Sequence, residues 1–175
     1  MTEWEQRVAD AWATIDDYDG REEEFRAVID ELAAQLPAGD PLAAFERACA
    51  WDSTGFSDRA VPLYREALDG GLAGYRRRRA VIQMSSSLRN IGEIRTAIEQ
   101  LESERAIDPQ TLDADTRSLG DAISATLALC LTDAGREREA VSIAVGALAP
   151  HLPRYQRSMA NYARALVNPA VDEDE

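Results

Sequence analysis

Apolar residues return every three or four positions along nearly the whole chain. Trp4, Val8, Trp12 and Ile15 do so in the first segment, and Phe25, Ile29, Leu32 and Leu36 in the second. That spacing places each set on one face of a helix. No stretch sustains the in-out alternation with β-branched enrichment that a half-buried strand needs. The punctuation agrees. Thr2 and Glu5 have the spacing of a capping box, in which the hydroxyl accepts an orphan amide and the carboxylate reaches back to the cap. Asp40-Pro41 and Asp108-Pro109 each set a capping carboxylate before a proline, whose missing amide costs nothing at a first helical position. Gly20, Gly55, Gly70-Gly71, Gly92 and Gly135 end helices or turn the chain. The pattern predicts nine helices, over about 2–17, 21–36, 41–54, 57–69, 73–90, 93–106, 110–134, 136–149 and 153–167.

Composition narrows the class. Of 175 residues 45% are hydrophobic and 29% charged, a profile for a folded domain with a real core. The net charge is −13, and all 19 basic residues are arginine. An acidic surface repels phosphates, so a general nucleic-acid binder is excluded. No apolar run approaches the roughly 20 residues that cross a bilayer, and the start Met1-Thr2-Glu3-Trp4-Glu5 is not that of a signal peptide. A cytoplasmic protein is therefore expected. The tail from Asn168 to Glu175 ends in four carboxylates and reads as a solvated, disordered end.

Three of the glycines carry the same surroundings. Five residues after Gly55, Gly92 and Gly135 stand Ala60, Ala97 and Ala140; seven before them stand Ala48, Ser85 and Ala128, and four before them Trp51, Leu88 and Leu131. Small residues at fixed places beside large ones are what a helical hairpin stacked on copies of itself requires. The first helices read Ala44-x₂-Arg47-Ala48-x₂-Trp51, Val81-x₂-Met84-Ser85-x₂-Leu88 and Ser124-x₂-Leu127-Ala128-x₂-Leu131. The second helices read Ala60-x₃-Tyr64-x₂-Ala67, Ala97-x₃-Leu101 and Ala140-x₃-Ala144-x₂-Ala147, with Pro109 once in the closing position. In these motifs the chain resembles the tetratricopeptide repeat family. It departs from that pattern at Arg47, Glu104 and Ala144. The stretches Asp52-Ser53-x-Gly55…Ala60-Val61-Pro62-Leu63-Tyr64 and Ser86-Ser87-Leu88-Arg89-Asn90-Ile91-Gly92 are more narrowly similar to a bacterial family of small stand-alone proteins of this type. That family is known mainly by its fold, and a dimer has been suggested for it. The resemblance implies an all-α, right-handed superhelical stack of antiparallel hairpins: a degenerate hairpin over 1–40, three repeats over 41–149, a capping helix over 150–167 and the acidic tail. Pro62, inside the second turn of its helix, removes a hydrogen bond there.

In such a stack the first helices line a concave groove. The resemblance places Phe45, Cys49 and Asp52 there, then Arg79, Ile82, Gln83, Ser86, Arg89 and Asn90, then Ala125, Leu129 and Asp133. Arg79, Gln83, Ser86 and Arg89-Asn90 follow at three- or four-residue steps, near one helical face. Two guanidinium forks with amide and hydroxyl neighbours suit a partner's carboxylate; the alternative is an internal Arg89–Asp52 salt bridge. The run Arg76–Arg79 points in nearly every direction around a helix, and reads as solvated arginines whose stems cover apolar surface. Cys49 and Cys130, without Cys-x-x-Cys or a nearby histidine, read as core thiols. His151 reads as a turn residue, so no catalytic triad has a base. The acidic run Asp16–Glu24 lacks the alternating ligands of a calcium loop, and no cofactor or metal is implied. In the last helix Leu152, Tyr155, Met159, Tyr162 and Leu166 form a narrow seam that serves either as a cap or, with Tyr155, Met159 and Tyr162 as anchors, as a two-fold dimer contact. The expected function is a non-catalytic scaffold that takes a peptide or helix of a partner protein in its groove. The alternative is a self-assembling homodimer.

Overall fold

The computed structural model describes residues 2–168; the acidic run at the C-terminus lies outside them. Among the described residues the chain is all α-helix and turn, with no strand. No helix there is long and apolar enough to cross a membrane. The chain divides into two compact units, Met1–Ile91 and Gly92–Glu175.

The first unit holds α1 (Glu3–Trp12), α2 (Glu22–Ala33), α3 (Pro41–Ser53), α4 (Ser57–Asp69) and α5 (Gly74–Asn90). Its caps are those the sequence marks. Thr2 Oγ1 accepts from the Glu5 amide at 3.2 Å while Glu5 Oε2 accepts from the Thr2 amide at 2.7 Å, and Asp40 accepts from the Leu42 amide at 2.9 Å. The expected helix over 2–17 ends early. Thr14 turns its hydroxyl back onto the Ala11 carbonyl, and Ile15–Tyr18 forms a 3-10 turn. That turn brings Ile15 and Tyr18 against a cluster of Val8, Phe25, Ile29, Leu32 and Ala50. Phe25 is fully buried, with the Trp12 ring edge-on at 5.0 Å and Tyr18 at 5.6 Å. Trp4 Nε1 donates to the Leu32 carbonyl at 2.8 Å, so α1 is pinned to α2 at both ends.

α3 is the central helix of this unit, packed against α2, α4 and α5. Its Ala43, Ala44, Ala48 and Ala50 are all buried, and residues this small let three neighbours approach one helix closely. Tyr64 of α4 fills the space beside Phe45 with ring centroids 6.4 Å apart. α4 runs unbroken through Pro62, which faces solvent. Gly55 turns the chain between α3 and α4 at φ +88°, a conformation open to glycine at little cost.

The second unit holds α6 (Ile94–Arg105), α7 (Ala114–Ser118), α8 (Gly120–Asp133), α9 (Glu137–Leu148) and α10 (Gln156–Ala165). Here the expected single helix over 110–134 is broken. Asp108-Pro109 caps only the 3-10 turn Pro109–Thr111. Leu112 is extended, and Asp113 starts α7 by accepting from both the amide and the hydroxyl of Thr116, at 2.9 and 2.6 Å. The capping spacing Asp113-x-x-Thr116 is the signal that a reading from Pro109 alone passes over. α8 packs on α6 and α9, and α10 on α9. The alanines in register after each turn, Ala60, Ala97 and Ala140, are buried, as close helix approach demands.

Candidate functional site

The first helices of the hairpins in the first unit are α1, α3 and α5, and polar side chains run between them. Trp12 Nε1 donates to Glu46 Oε2 at 2.8 Å. Glu46 is buried, which pushes its pKa up; the Trp12 hydrogen bond and the charges of Arg79 and Arg76 oppose that. Arg76 Nη2 reaches Glu5 Oε1 at 2.7 Å. The Thr2 amide and then Arg76 hold the Glu5 carboxyl at about 2. The Arg79 guanidinium stands 5.4 Å from the Phe45 ring centroid, within cation–π range.

A second set of bonds joins α3, α4 and α5. The Cys49 thiol donates to Gln83 Oε1 at 3.6 Å. The Tyr64 hydroxyl lies 3.7 Å from Cys49 Sγ and 3.2 Å from Asp52 Oδ2, and the carboxylate is the stronger acceptor. Ser87 Oγ donates to Asp52 Oδ1 at 2.6 Å. Burial pushes the Asp52 pKa up against these two bonds. It pushes the Cys49 thiol up to about 12, so this cysteine is a packed thiol and no nucleophile.

The expected groove residues therefore divide. Asp52 and Gln83 meet through Cys49 and Tyr64, with Arg79 one turn before Gln83 on α5. Asn90 Nδ2 donates to Ser57 Oγ at 3.1 Å at the start of α4. Ser86 and Arg89 are half-buried, and Arg89 has a partner of its own. Asp52 takes Ser87 and Tyr64 as donors. Phe45 and Cys49 are not groove residues: they are 0% and 1% exposed, because α3 is enclosed and Arg79 lies over the Phe45 ring. Of the four consecutive arginines Arg78 is buried and not solvated, while Arg76, Arg77 and Arg79 are half-buried: Arg76 is ion-paired, Arg79 lies over the Phe45 ring and Arg77 is engaged. Glu46 and Ser87 are the polar residues the motif pattern misses. Glu46 is the sole carboxylate between Asp40 and Asp52, and nothing local indicates that Trp12, 34 residues earlier, covers it.

In the second unit α8 is a first helix. Between Asp121 and Asp133 it carries no charge, although Ala122, Ala125, Leu129 and Thr132 all face solvent and Leu129 is 54% exposed. The seam of the last helix splits. Met159 and Leu166 are half-buried, Ala163 is buried, and Tyr155 and Tyr162 stand out at 73% and 67% exposure. Ser142 Oγ donates to the Ala163 carbonyl at 2.7 Å and Arg138 Nε to the Leu166 carbonyl at 3.2 Å, so α10 covers one side of α9. His151 Nε2 lies 2.9 Å from Asp121 Oδ2, tying its turn to the start of α8. Around the acidic run, Glu22 accepts from the Gly20 amide and Glu24 pairs with Arg21. Among the described residues no cluster of His, Cys, Asp and Glu is placed to hold a metal.

Compared with known families, residues 41–166 match the model of the tetratrico peptide repeat family. No curated protein and no solved structure matches the chain.

Proposed function

The chain belongs to the tetratricopeptide repeat family, and on that premise we propose that it is a non-catalytic scaffold whose first helices take a peptide or helix of a partner protein. Repeats of this family are generally protein–protein interaction modules. The observation that carries the reading is the uncharged, solvent-facing row of α8 with Leu129 at its centre. In a chain with 29% charged residues, an exposed first-helix face without a charge is suited to lose its water to a partner. In the first unit we assign Arg79, Ser86, Arg89 and Asn90 to orienting the partner. Asp52 and Gln83 hold α5 against α3 and α4.

The test is affinity capture from the source lysate, with wild type beside Leu129→Glu and Arg89→Glu and the retained proteins identified by mass spectrometry. A partner held by wild type is lost by Leu129→Glu. An exposed substitution of this kind stays within about 0.5 kcal/mol, or about 2 °C in melting temperature for a domain of this size. A partner retained equally by the variants, or columns holding only the protein's own copies, would refute the reading.

The exposure of Tyr155 and Tyr162 favours a second reading, a two-fold contact along α10. Large aromatic side chains anchor interfaces. In that case Met159→Asp with Tyr162→Asp converts a dimer to a folded monomer by light scattering, and an unchanged mass dismisses the seam.

A further inference from the structure

The C-terminal helix is the basic exception on an acidic chain. From Leu152 to Asn168 there are three arginines, Arg154, Arg157 and Arg164, and no carboxylate. Arginines elsewhere sit on carboxylates: Arg21 on Glu24, Arg47 on Asp30, Arg76 on Glu5, and Arg136 on Glu102 and Glu139. All three are exposed, Arg154 just before α10 and Arg157 and Arg164 on it, and Arg164 donates to the amide oxygen of Asn161. The neighbouring element offers them little. On α9, Glu137 is exposed at the first turn, Glu139 is paired with Arg136 and Arg138 is turned to the Leu166 carbonyl, while Asp121 holds His151. Arg157, Asn161 and Arg164 follow at four and three, so they share one face. At 3.6 residues per turn that face is rotated by roughly 150° from Tyr155 and Tyr162.

We propose that this arginine face is the docking surface for the chain's own acidic terminus, Asp172-Glu173-Asp174-Glu175. Charge complementarity is one argument, and reach is the other. Arg164 and Arg157 lie about 6 and 16 Å before Asn168 along the helix, at roughly 1.5 Å per residue. The seven residues after Asn168 extend up to about 24 Å. A tail folded back along α10 therefore passes Arg164 and, at about 3.4 Å per residue, brings Asp172–Glu175 about 14–24 Å from Asn168, alongside Arg157. The helix field favours the same direction, because the carboxylates leave the negative C-terminal end of the helix and approach its positive N-terminal end. So docked, the tail covers this arginine face and gives way to a partner segment with more negative charge.

The test uses the full chain with Glu175→Cys carrying a nitroxide. Cys49 and Cys130 are buried, so the label goes to the new thiol. Amide signals of residues 157–164 are followed by NMR with the nitroxide oxidised and reduced. An undocked seven-residue tail still has an r.m.s. reach of about 15 Å, so the baseline is the same chain with Asp172→Asn, Glu173→Gln and Asp174→Asn. At low salt the acidic tail produces at least a twofold greater signal loss than the neutralised one. The excess disappears near 0.5 M salt, where the screening length falls to a few ångströms. It also disappears with Arg154→Glu, Arg157→Glu and Arg164→Glu together. Equal losses for acidic and neutral tails overturn the proposal, as does an excess that survives salt. A loss transferred between copies, seen when isotope-labelled chains are mixed with spin-labelled unlabelled ones, also overturns it by assigning the tail to a second copy.

Discussion

Asp52 tests whether the polar residues of the first unit are structural. Its carboxylate accepts from Ser87 Oγ at 2.6 Å and from the Tyr64 hydroxyl at 3.2 Å, in a setting where burial raises its pKa above the ordinary 3.8. Asp52→Ala takes away the carboxylate that accepts from both the Ser87 and the Tyr64 hydroxyl, leaving Tyr64 only the weaker acceptor Cys49 Sγ at 3.7 Å. At about 1–3 kcal/mol for each buried group left unpaired, the loss is about 2–5 kcal/mol after local relaxation. Asp52→Asn keeps an acceptor and removes a half-buried charge, so it stays within about 1 kcal/mol of wild type. The pH dependence separates the two effects. A raised folded pKa means that the native state binds the Asp52 proton more tightly than the unfolded chain does. The stability contributed by that proton is complete below 3.8 and is lost as pH rises through the folded value. Wild type therefore gains on Asp52→Asn as pH falls from 7 to 4, while other carboxylates cancel in the comparison. Urea unfolding followed by circular dichroism at several pH values measures both quantities. An Asp52→Ala no weaker than Asp52→Asn, or a pH-independent difference between wild type and Asp52→Asn, would falsify this account.

Three further outcomes follow from single contacts. Phe25→Ala removes a ring that is 0% exposed and is flanked by Trp12 and Tyr18, and costs about 3–5 kcal/mol in the same urea assay; a loss below 1 kcal/mol would mean that the first hairpin is not packed. Pro62→Ala restores an amide at an exposed position well inside α4 and raises stability, by up to about 3 kcal/mol; a lower melting temperature would show that the proline fits its turn better than alanine. Glu5, held at about 2 by Thr2 and Arg76, contributes stability that is complete above 4.5 and is lost progressively as pH falls from there through about 2. Glu5→Gln should therefore remove part of the acid-induced drop in melting temperature between those values, and an unchanged acid limb would dissociate the Arg76 pair from stability.

The repeat was legible because its signature is local. Alanines five residues after a turn glycine mark where helices touch, and Ala60, Ala97 and Ala140 are buried in turn. Caps were legible for the same reason, except where two competed: Asp108-Pro109 masks Asp113, and the break between the 3-10 turn and α7 depends on the second. The site was harder to read. Groove positions transferred from a repeat family assume an open first-helix face, but α3 has α2, α4 and α5 around it and Arg79 over Phe45. The Trp12–Glu46 bond and the Arg76–Glu5 pair span 34 and 71 residues, and no spacing rule reaches that far. The arginine run shows the same limit. Charge and helical geometry say that the four side chains diverge, while only the packed structure says that each finds something to hold.

Those internal bonds decide where a partner gains free energy. A ligand that takes Gln83 away from Cys49, or Asp52 away from Ser87 and Tyr64, must replace each bond or leave a buried group unpaired at about 1–3 kcal/mol. Its gain at those residues is a difference between similar terms. At Leu129 nothing has to be broken. The side chain is 54% exposed, and covering it removes apolar area from water at about 25 cal/mol per Å² in a row that carries no charge to desolvate. Affinity for a partner should therefore fall more on Leu129→Ala than on Gln83→Ala, while stability falls more on Gln83→Ala, which leaves the buried Cys49 thiol without its acceptor. Titration calorimetry with the captured partner, run beside urea unfolding of both variants, reads the two orders separately. The opposite ranking of affinities would move the binding face from α8 to the polar wall of α3 and α5.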